Sequence, residues 1–458
     1  MPITDETICA ISTAPGTGAI AMVRMAGPQA IAIADSVFRA PHARARLAAA
    51  KAGTLHYGTI ASGGTDIDEV VVGIFRAPHS FTGDDIVEIS CHGSVVIQQS
   101  ILAALISHGA RMARPGEFTR RAFANGKMDL SQAEAVADLI ASRSEAARRV
   151  ALTQMRGGFS HKLHELRADL LHFTTLLELE LDFSEEDVEF ADRTQLLDLV
   201  DRIGTTVARL EQSFTLGNAI KNGVPVAIVG PTNAGKSTLL NALLGEDLAI
   251  ISDIHGTTRD TIEDTISISG ILFRFIDTAG IRHTTDVIEN IGIDRAFAKI
   301  AKAQIVVLMF DVSTPAADIE AVGSQVRSHI TSPDVRVITL LNKSDLCTPD
   351  ISTPDGLQLF SAKNPADIER LRQQLLQAVA ATFSPDSDTI VTNARHYEAL
   401  HQSRLALERV RTGLTTGLSG ELVAIDIHEV LDHLASITGE VTGQDILNNI
   451  FKNFCIGK

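Results

Sequence analysis

The chain has 458 residues, 45% of them hydrophobic and 4% aromatic, with no tryptophan. At about 150 residues per domain, this length predicts two to four domains, each able to bury a core. The formal net charge of −16 excludes a broad basic surface with which this chain alone could grip nucleic acid.

Residues 1–127 alternate short apolar runs with turn signals. IAMVRMAG, IDEVVVGIF and DIVEISCHG read as strands, and PGTG, ASGGTD and FTGDD as turns. SVVIQQSILAALISHG reads as a helix closed by Gly109. The expectation is an α+β domain. Residues 128–220 carry helical periodicity. Ser131 and Glu134 in SQAEAVADLI form a capping-box pattern. Leu163, Leu166, Leu170, Phe173, Leu177 and Leu181 fall at spacings of three and four, on one helix face. The acidic stretch DFSEEDVEF interrupts this pattern and reads as a solvated loop and helix start.

Residues 221–384 alternate strand and helix periods, as a parallel α/β sheet does. VPVAIVG, QIVVLMFDV and VRVITLLN are near-continuous apolar runs, as in strands buried on both faces. Residues 385–458 return to helical periodicity in YEALHQSRLALERV and IHEVLDHLASITG. If the two helical stretches pack together, the α/β region is an insertion in one helical domain.

Cys9, Cys91, Cys347 and Cys455 are scattered without a CxxC pair, so neither a disulfide framework nor a zinc site is expected. The opening MPITDETICA has neither a basic stretch nor a long apolar run, and no run of 18 apolar residues follows. The expectation is a cytoplasmic protein with no membrane span. The ending FCIGK is spaced like a prenylation box, but Gly457 is not aliphatic and Lys458 is not a usual terminal residue.

The strongest chemical signal is GPTNAGKS at 230–237, which fits G-x-x-x-x-G-K-[ST] between a buried strand and the helix STLLNALLG. Such a loop aims backbone N–H groups at phosphate oxygens, and the helix N-terminus adds positive potential. Lys236 would reach the β and γ phosphates, and the Ser237 hydroxyl would ligate Mg²⁺. Three further pieces follow in order. GTTRD (256–260) offers Thr258 as a second hydroxyl for Mg²⁺. DTAG (277–280) puts Asp277 at a strand end as the metal-side carboxylate. NKSD (342–345) ends a buried strand with Asp345, whose carboxylate can accept from the N1–H and exocyclic amine of guanine; adenine lacks both donors. SAK (361–363) would close over the base. Together these read as a GTPase of the translation-factor-related class.

The place after DTAG, where Ras-like enzymes carry a water-orienting Gln, holds Ile281. No arginine finger stands out, with Arg259 and Arg282 as candidates. Asn233 could help hold a monovalent cation beside the phosphates. Glu289, in TTDVIENIGI, could bring a carboxylate to the water, although by residue type alone it reads as a surface helix residue.

The whole chain resembles the tRNA-modification GTPase MnmE (TrmE) family from residue 7 to 458. GxxNAGKS, DIxGTTRD, DTAGxR, NKxD and a terminal CIGK carry the resemblance. So do PGxGAIAxxRxxG, SFTGxDxxE and ARPGEFTxRAFxNGKxDLxQAEA, which lie outside the GTPase motifs. It implies an α+β N-terminal folate-binding and dimerisation domain (1–127), a discontinuous all-α helical domain (128–220 and 385–458), and an inserted Ras-like α/β P-loop GTPase domain (221–384). It also implies modification at C5 of the tRNA wobble uridine. Aminomethyl or carboxymethylaminomethyl groups would be added with a one-carbon unit from a tetrahydrofolate derivative, the 5-formyl or methylene form. The homodimer would act in a heterotetramer or larger complex with the flavoprotein MnmG, which carries the FAD.

Carried over residue by residue, the GTP or GDP site comprises Asn233, Ala234, Gly235, Lys236, Ser237 and Thr238; Ser252, Asp253, Ile254, His255, Gly256, Thr257 and Thr258; Asp277, Thr278, Ala279 and Gly280; Asn342, Lys343, Ser344 and Asp345; and Ser361, Ala362 and Lys363. Mg²⁺ falls to Ser237 and Thr258. A potassium ion falls to Asn233, Ser252, Ile254 and Thr257, with Ser252 in place of the family's usual Thr. Glu289 matches the water-positioning glutamate. The folate set is Arg24, Glu88, Lys127 and Lys458. FCIGK then reads as the inward end of the last helix, with Cys455 a candidate for the modification chemistry. The alternative is a ribosome-assembly or regulatory GTPase in which GTP gates partner affinity. The GTPase motifs do not separate the two, but the N-terminal segments and the tail favour the first.

Overall fold

The computed structural model describes residues 6–41, 46–182, 193–245, 264–276, 303–330, 335–346, 357–380, 389–452 and 454–457. Contacts divide the chain into two compact units, one of residues 1–140, 154–201 and 405–458, the other of residues 141–153 and 202–404.

In the first unit the chain runs through β1 (Ile8–Ile11), β2 (Ile20–Ala26), α1 (Ala30–Val37), β3 (Phe38–Arg39), β4 (Thr54–Ser62), β5 (Thr65–Phe75), β6 (Ile86–His92), α2 (Val95–Ser107), β7 (Arg111–Met112) and α3 (Glu117–Ala124). The seven strands form one mixed sheet in the order β3-β4-β5-β6-β2-β1-β7. Period-two alternation sorts its faces. Val23 and Met25 of β2 and Val87 and Ile89 of β6 are buried in one core with Ile33 of α1 and Ile101 and Leu105 of α2. Arg24 and Glu88, one residue out of phase, fall on the other face, and the antiparallel register sets them directly opposite each other. A smaller cluster of Ile8, Ala10, Ala26, Ile86 and Phe118 forms a second core, with Phe75 and Phe81 packed against it.

The helices α4 (Leu130–Ala141), α5 (Glu145–Met155), α6 (Gly158–Asp182) and α7 (Arg193–Asn222) follow. The capping box at the start of α4 lies two residues earlier than the sequence pattern predicts. Asp129 Oδ1 accepts from the Gln132 N–H at 2.9 Å, and Gln132 Oε1 accepts from the Asp129 N–H at 2.9 Å. Ser131 instead donates to Asp129 Oδ1 from inside the helix. Asp-x-x-Gln satisfies the same two orphan N–H groups as Ser-x-x-Glu, and the helix begins where that pair closes. Along α6, Leu163, Leu166, Leu170 and Leu177 are buried as the spacing predicts. Phe173 is only half-buried, and the neighbouring Thr174 is buried with its hydroxyl donating to Leu170 O. The side chain of Leu181 and the stretch DFSEEDVEF fall outside the described side chains.

The second unit contains β8 (Val224–Val229), α8 (Lys236–Gly245), β9 (Asp264–Ile268), β10 (Ile271–Phe275), β11 (Ile305–Asp311), α9 (Ala316–Ser328), β12 (Arg336–Asn342), β13 (Gln358–Leu359) and α10 (Pro365–Ala380). Its six strands run β13-β12-β11-β8-β10-β9. Five are parallel and β9 is antiparallel to β10. Both faces are covered. Val226, Ile228, Val307 and Met309 pack with Leu240 of α8 and Leu371 of α10, while Ala227, Val306, Leu308 and Phe310 pack with Ile319 and Val326 of α9. That two-sided burial is why β8 and β11 read as unbroken apolar runs. Phe273, Phe310 and Phe360 are fully buried, each burial stabilising the unit by about 1.5–3 kcal/mol.

The chain closes with α11 (Ala394–Thr416), α12 (Gly420–Thr438) and α13 (Gln444–Lys452). Within the first unit, α12 packs along α6. The terminal segment is not the end of a helix, as FCIGK was expected to be. The last described helix ends at Lys452, and residues 454–457 are non-helical, with a turn at Ile456 and Gly457. Among the described residues, no helix is long and apolar enough to cross a membrane.

Candidate functional site

The second unit places the phosphate-loop motif where β8 hands over to α8. The loop between them needs unusual backbone. Asn233 has φ +60°, and Gly235 has φ +97°, in the left-handed region that glycine occupies at little cost. Gly235 also lies close to a neighbour, since a Cβ there would sit 2.1 Å from Asn342 Nδ2. Lys236 opens α8, and its Nζ donates to the Gly230 and Pro231 carbonyls at 2.7 and 2.6 Å. Its ammonium therefore sits in the mouth of the loop. Ala234 is buried, while Asn233, Ser237 and Thr238 are exposed around it.

The NKSD and SAK segments meet this loop through one buried side chain. Asn342, at the end of β12, donates from Nδ2 to Ala234 O at 2.8 Å and accepts at Oδ1 from the Ala362 N–H at 3.0 Å. Lys343 then turns left-handed at φ +68°. Ser344 follows in the turn, and Asp345 accepts at Oδ1 from Ser361 Oγ at 2.8 Å. That hydroxyl is the main cause holding the Asp345 carboxyl below its usual range. The Ser361 N–H donates to Asp367 of α10 at 2.8 Å, and Lys363 is exposed beside it. The arrangement puts an ionised carboxylate acceptor, a lysine-bearing loop and a helix N-terminus in one connected frame. Residues 252–258, 277–280 and Glu289 lie outside the described residues, so the second Mg²⁺ hydroxyl, the strand-end carboxylate, most of the cation loop and the water-positioning candidate are not placed.

In the first unit, Arg24 and Glu88 face each other across β2 and β6. Arg24 Nε donates to Glu88 Oε1 at 2.9 Å, so two residues of the expected folate set are brought together as an ion pair. Residue type could not reveal this, because register is set by pairing 64 positions apart in the chain. The Arg24 guanidinium lies 5.8 Å from the Phe81 ring centroid and 5.9 Å from that of Phe118. Neither ring was singled out from sequence, although FTGDD and RPGEF each contain one. Phe81 belongs to the same loop that receives Lys127, whose Nζ donates to Pro78 O at 3.1 Å. Asn125 ties this loop down through Thr82 O and Asp84 Oδ1 at 2.7 and 3.2 Å. Asp84 Oδ2 is buried without a hydrogen-bond partner, and Arg121 stands 3.6 Å from it.

The terminal turn docks beside this face. Ser12 Oγ donates to Gly457 O at 3.1 Å, and the Gly116 N–H donates to Cys455 O at 3.4 Å. Ser12 follows β1, whose Ala10 is paired with Arg24. Phe451 is buried against Leu130 and Ala133, with Phe454 alongside. Cys455 is exposed; Lys458 lies outside the described residues. Cys9 and Cys91 are buried in the sheet, and burial pushes each thiol up to about 11, which makes them inert packing.

Two family models match the chain. The one described as the GTP-binding protein TrmE N-terminus matches residues 7–127, and the one described as the MnmE helical domain matches residues 130–455. The tRNA modification GTPase MnmE of Parabacteroides distasonis is 56% identical over 462 residues, covering 99% of this chain and 100% of that one. The protein of the same name from Flavobacterium johnsoniae is 50% identical and covers 100% of both chains. The one from Cytophaga hutchinsonii is also 50% identical, covering 99% of this chain and 98% of its own.

Proposed function

Because the chain belongs to the MnmE family of tRNA-modification GTPases, we propose that it binds and hydrolyses GTP as one component of wobble-uridine modification in tRNA. The observation that carries the reading is the Asn342 bridge, which ties the phosphate loop at Ala234 to the SAK segment at Ala362. A guanine-specific site needs that link, because base and phosphates must be met at once by two loops more than 100 residues apart.

The six-stranded unit is the inserted Ras-like GTPase domain in this reading. The donors fit a hard cation, since Ser237 Oγ and Thr258 Oγ1 are oxygens of the kind Mg²⁺ takes. Asn233, in its left-handed turn at the loop tip, would share a potassium ion with Ser252, Ile254 and Thr257. A second positive charge beside the phosphates offsets charge that develops on transfer. Glu289 would orient the attacking water. GTP turnover is expected to be about tenfold faster in potassium than in sodium at equal ionic strength. Equal phosphate-release rates in the two salts would remove the cation role of Asn233.

The first unit would hold the tetrahydrofolate derivative. What supports this is the match of residues 7–127 to the TrmE N-terminal family model, together with the placing of Arg24 and Glu88 side by side on one face of the sheet. Glu88 would offer a carboxylate, and Arg24 and Lys127 would pair folate carboxylates; the docked tail carries Cys455 beside this face, and Lys458 would join the set. A bound folate supplies the one-carbon unit; these residues bind and orient it. The chain would work in the cytoplasm as a homodimer with the flavoprotein MnmG, which carries the FAD.

The test is nucleoside mass spectrometry of tRNA from a strain lacking the gene. The C5-modified wobble uridine is expected to vanish, and to return with the wild-type gene but not with Glu289→Ala. Unchanged nucleosides in the deletion strain would leave the assembly-GTPase reading in its place.

A further inference from the structure

The end of β11 carries a charged group that the motif reading leaves without a role. Asp311 is the last residue of the strand and lies opposite Asn342 in the parallel ladder. Its Oδ1 accepts from the Ser313 N–H and Oγ at 2.9 Å each. Its Oδ2 meets Lys343 Nζ at 2.5 Å. Lys343 is the residue that turns left-handed between Asn342 and Ser344, and the turn it opens is closed by the Leu346 N–H donating to Lys343 O at 2.9 Å. Asp345 sits inside that turn. The Lys343 and Asp311 side chains are 35% and 27% exposed, so salt screens the pairing in part and its effect lies in where it holds the lysine.

We propose that Asp311 is a positioning residue for guanine-nucleotide binding, which by holding the Lys343 ammonium fixes the turn that presents Asp345 to the base. The inference rests on the guanine-nucleotide reading of this unit. A lysine stem has four rotatable bonds, and ordering it when the ligand arrives costs affinity. With its far end tied to Asp311, that ordering is complete before binding. The strained φ of Lys343 is likewise held from both sides, by the ladder at Asn342 and by the ion pair at the side-chain tip. The Lys343 ammonium, then the Ser313 N–H, hold the Asp311 carboxyl down at about 2, so the tie persists at neutral pH.

The experiment is a double-mutant cycle on the full chain, with Asp311→Asn, Lys343→Met and the pair, titrated with a fluorescent GDP analogue in Mg²⁺. Asp311→Asn is expected to weaken GDP about tenfold, with the double variant within about twofold of Lys343→Met alone. The KM for GTP should rise by the same factor while kcat stays within about twofold, as expected for lost binding that is equal in ground and transition states. An unchanged affinity in Asp311→Asn, additive losses in the cycle, or a fall in kcat at constant KM would each overturn the proposal. If Asp311→Asn melts early, Asp311→Ser enters the same cycle. The underlying reading fails separately. A wild-type chain that binds no GDP, or binds ADP equally well, removes the guanine site, whereas guanine-selective wild type with a silent Asp311→Asn removes only Asp311.

Discussion

Gly235→Ala is expected to weaken guanine-nucleotide binding by about thirtyfold or more. Two costs coincide at this residue. A side chain at φ +97° costs about 1–2 kcal/mol. The new Cβ would stand 2.1 Å from Asn342 Nδ2, a separation no pair of heavy atoms tolerates, so Asn342 must move. Moving it breaks its bonds to Ala234 O and Ala362 N, each worth about 0.5–1.5 kcal/mol net. The sum is roughly 2–5 kcal/mol, and each 1.4 kcal/mol that falls on binding is tenfold in Kd. Titration with a fluorescent GDP analogue measures it. Gly245→Ala, at the far end of the same helix with open space at the Cβ position, is the matched control and should bind normally. An affinity for Gly235→Ala within about threefold of wild type would mean that the loop does not need this backbone.

Gly457→Val should cut wobble-uridine modification by about tenfold or more while leaving GTP turnover within about twofold. Gly457 has φ +95°, and a Cβ there would lie 2.4 Å from Ile11 O. That oxygen belongs to β1 and cannot yield cheaply. The tail must lift, giving up the Ser12 and Gly116 contacts. Phe451 stays anchored in its cluster with Leu130 and Ala133, so the thermal midpoint should barely change. The Cys455 thiol is unchanged and loses only its place. Nucleoside mass spectrometry after complementation reads the outcome. Normal modification by Gly457→Val would show that docking of the tail is dispensable, and the tail would leave the site.

How much could be read beforehand depends on the range over which each feature is decided. The strands β8, β11 and β12 were legible because two-sided burial writes itself into the residue types. The phosphate loop was legible because strand, glycine-rich turn and helix are contiguous. The start of α4 was displaced by two residues because Asp129 and Gln132 make the same exchange of hydrogen bonds as the Ser131 and Glu134 pattern, and only one pair can close a given turn. The Arg24–Glu88 pairing was out of reach, since it depends on which strands become neighbours. Asp311 was hidden as the polar end of an apolar run, where a carboxylate ordinarily serves as a turn cap; here it accepts from both Ser313 and Lys343. The Phe81 and Phe118 rings beneath Arg24 were ordinary core residues until the fold brought a cation over them.

The Asn342 amide carries one more consequence. Its two ends touch backbone atoms of the phosphate loop and of the SAK segment, so in the proposed nucleotide site neither half can shift without disturbing the other. Base selection and phosphate grip are then coupled equilibria rather than two independent sums. Thermodynamic reciprocity requires the coupling to be equal in both directions. A ligand with the wrong base therefore forfeits more than its own missing hydrogen bonds, because its misfit is also felt at the phosphates through the amide.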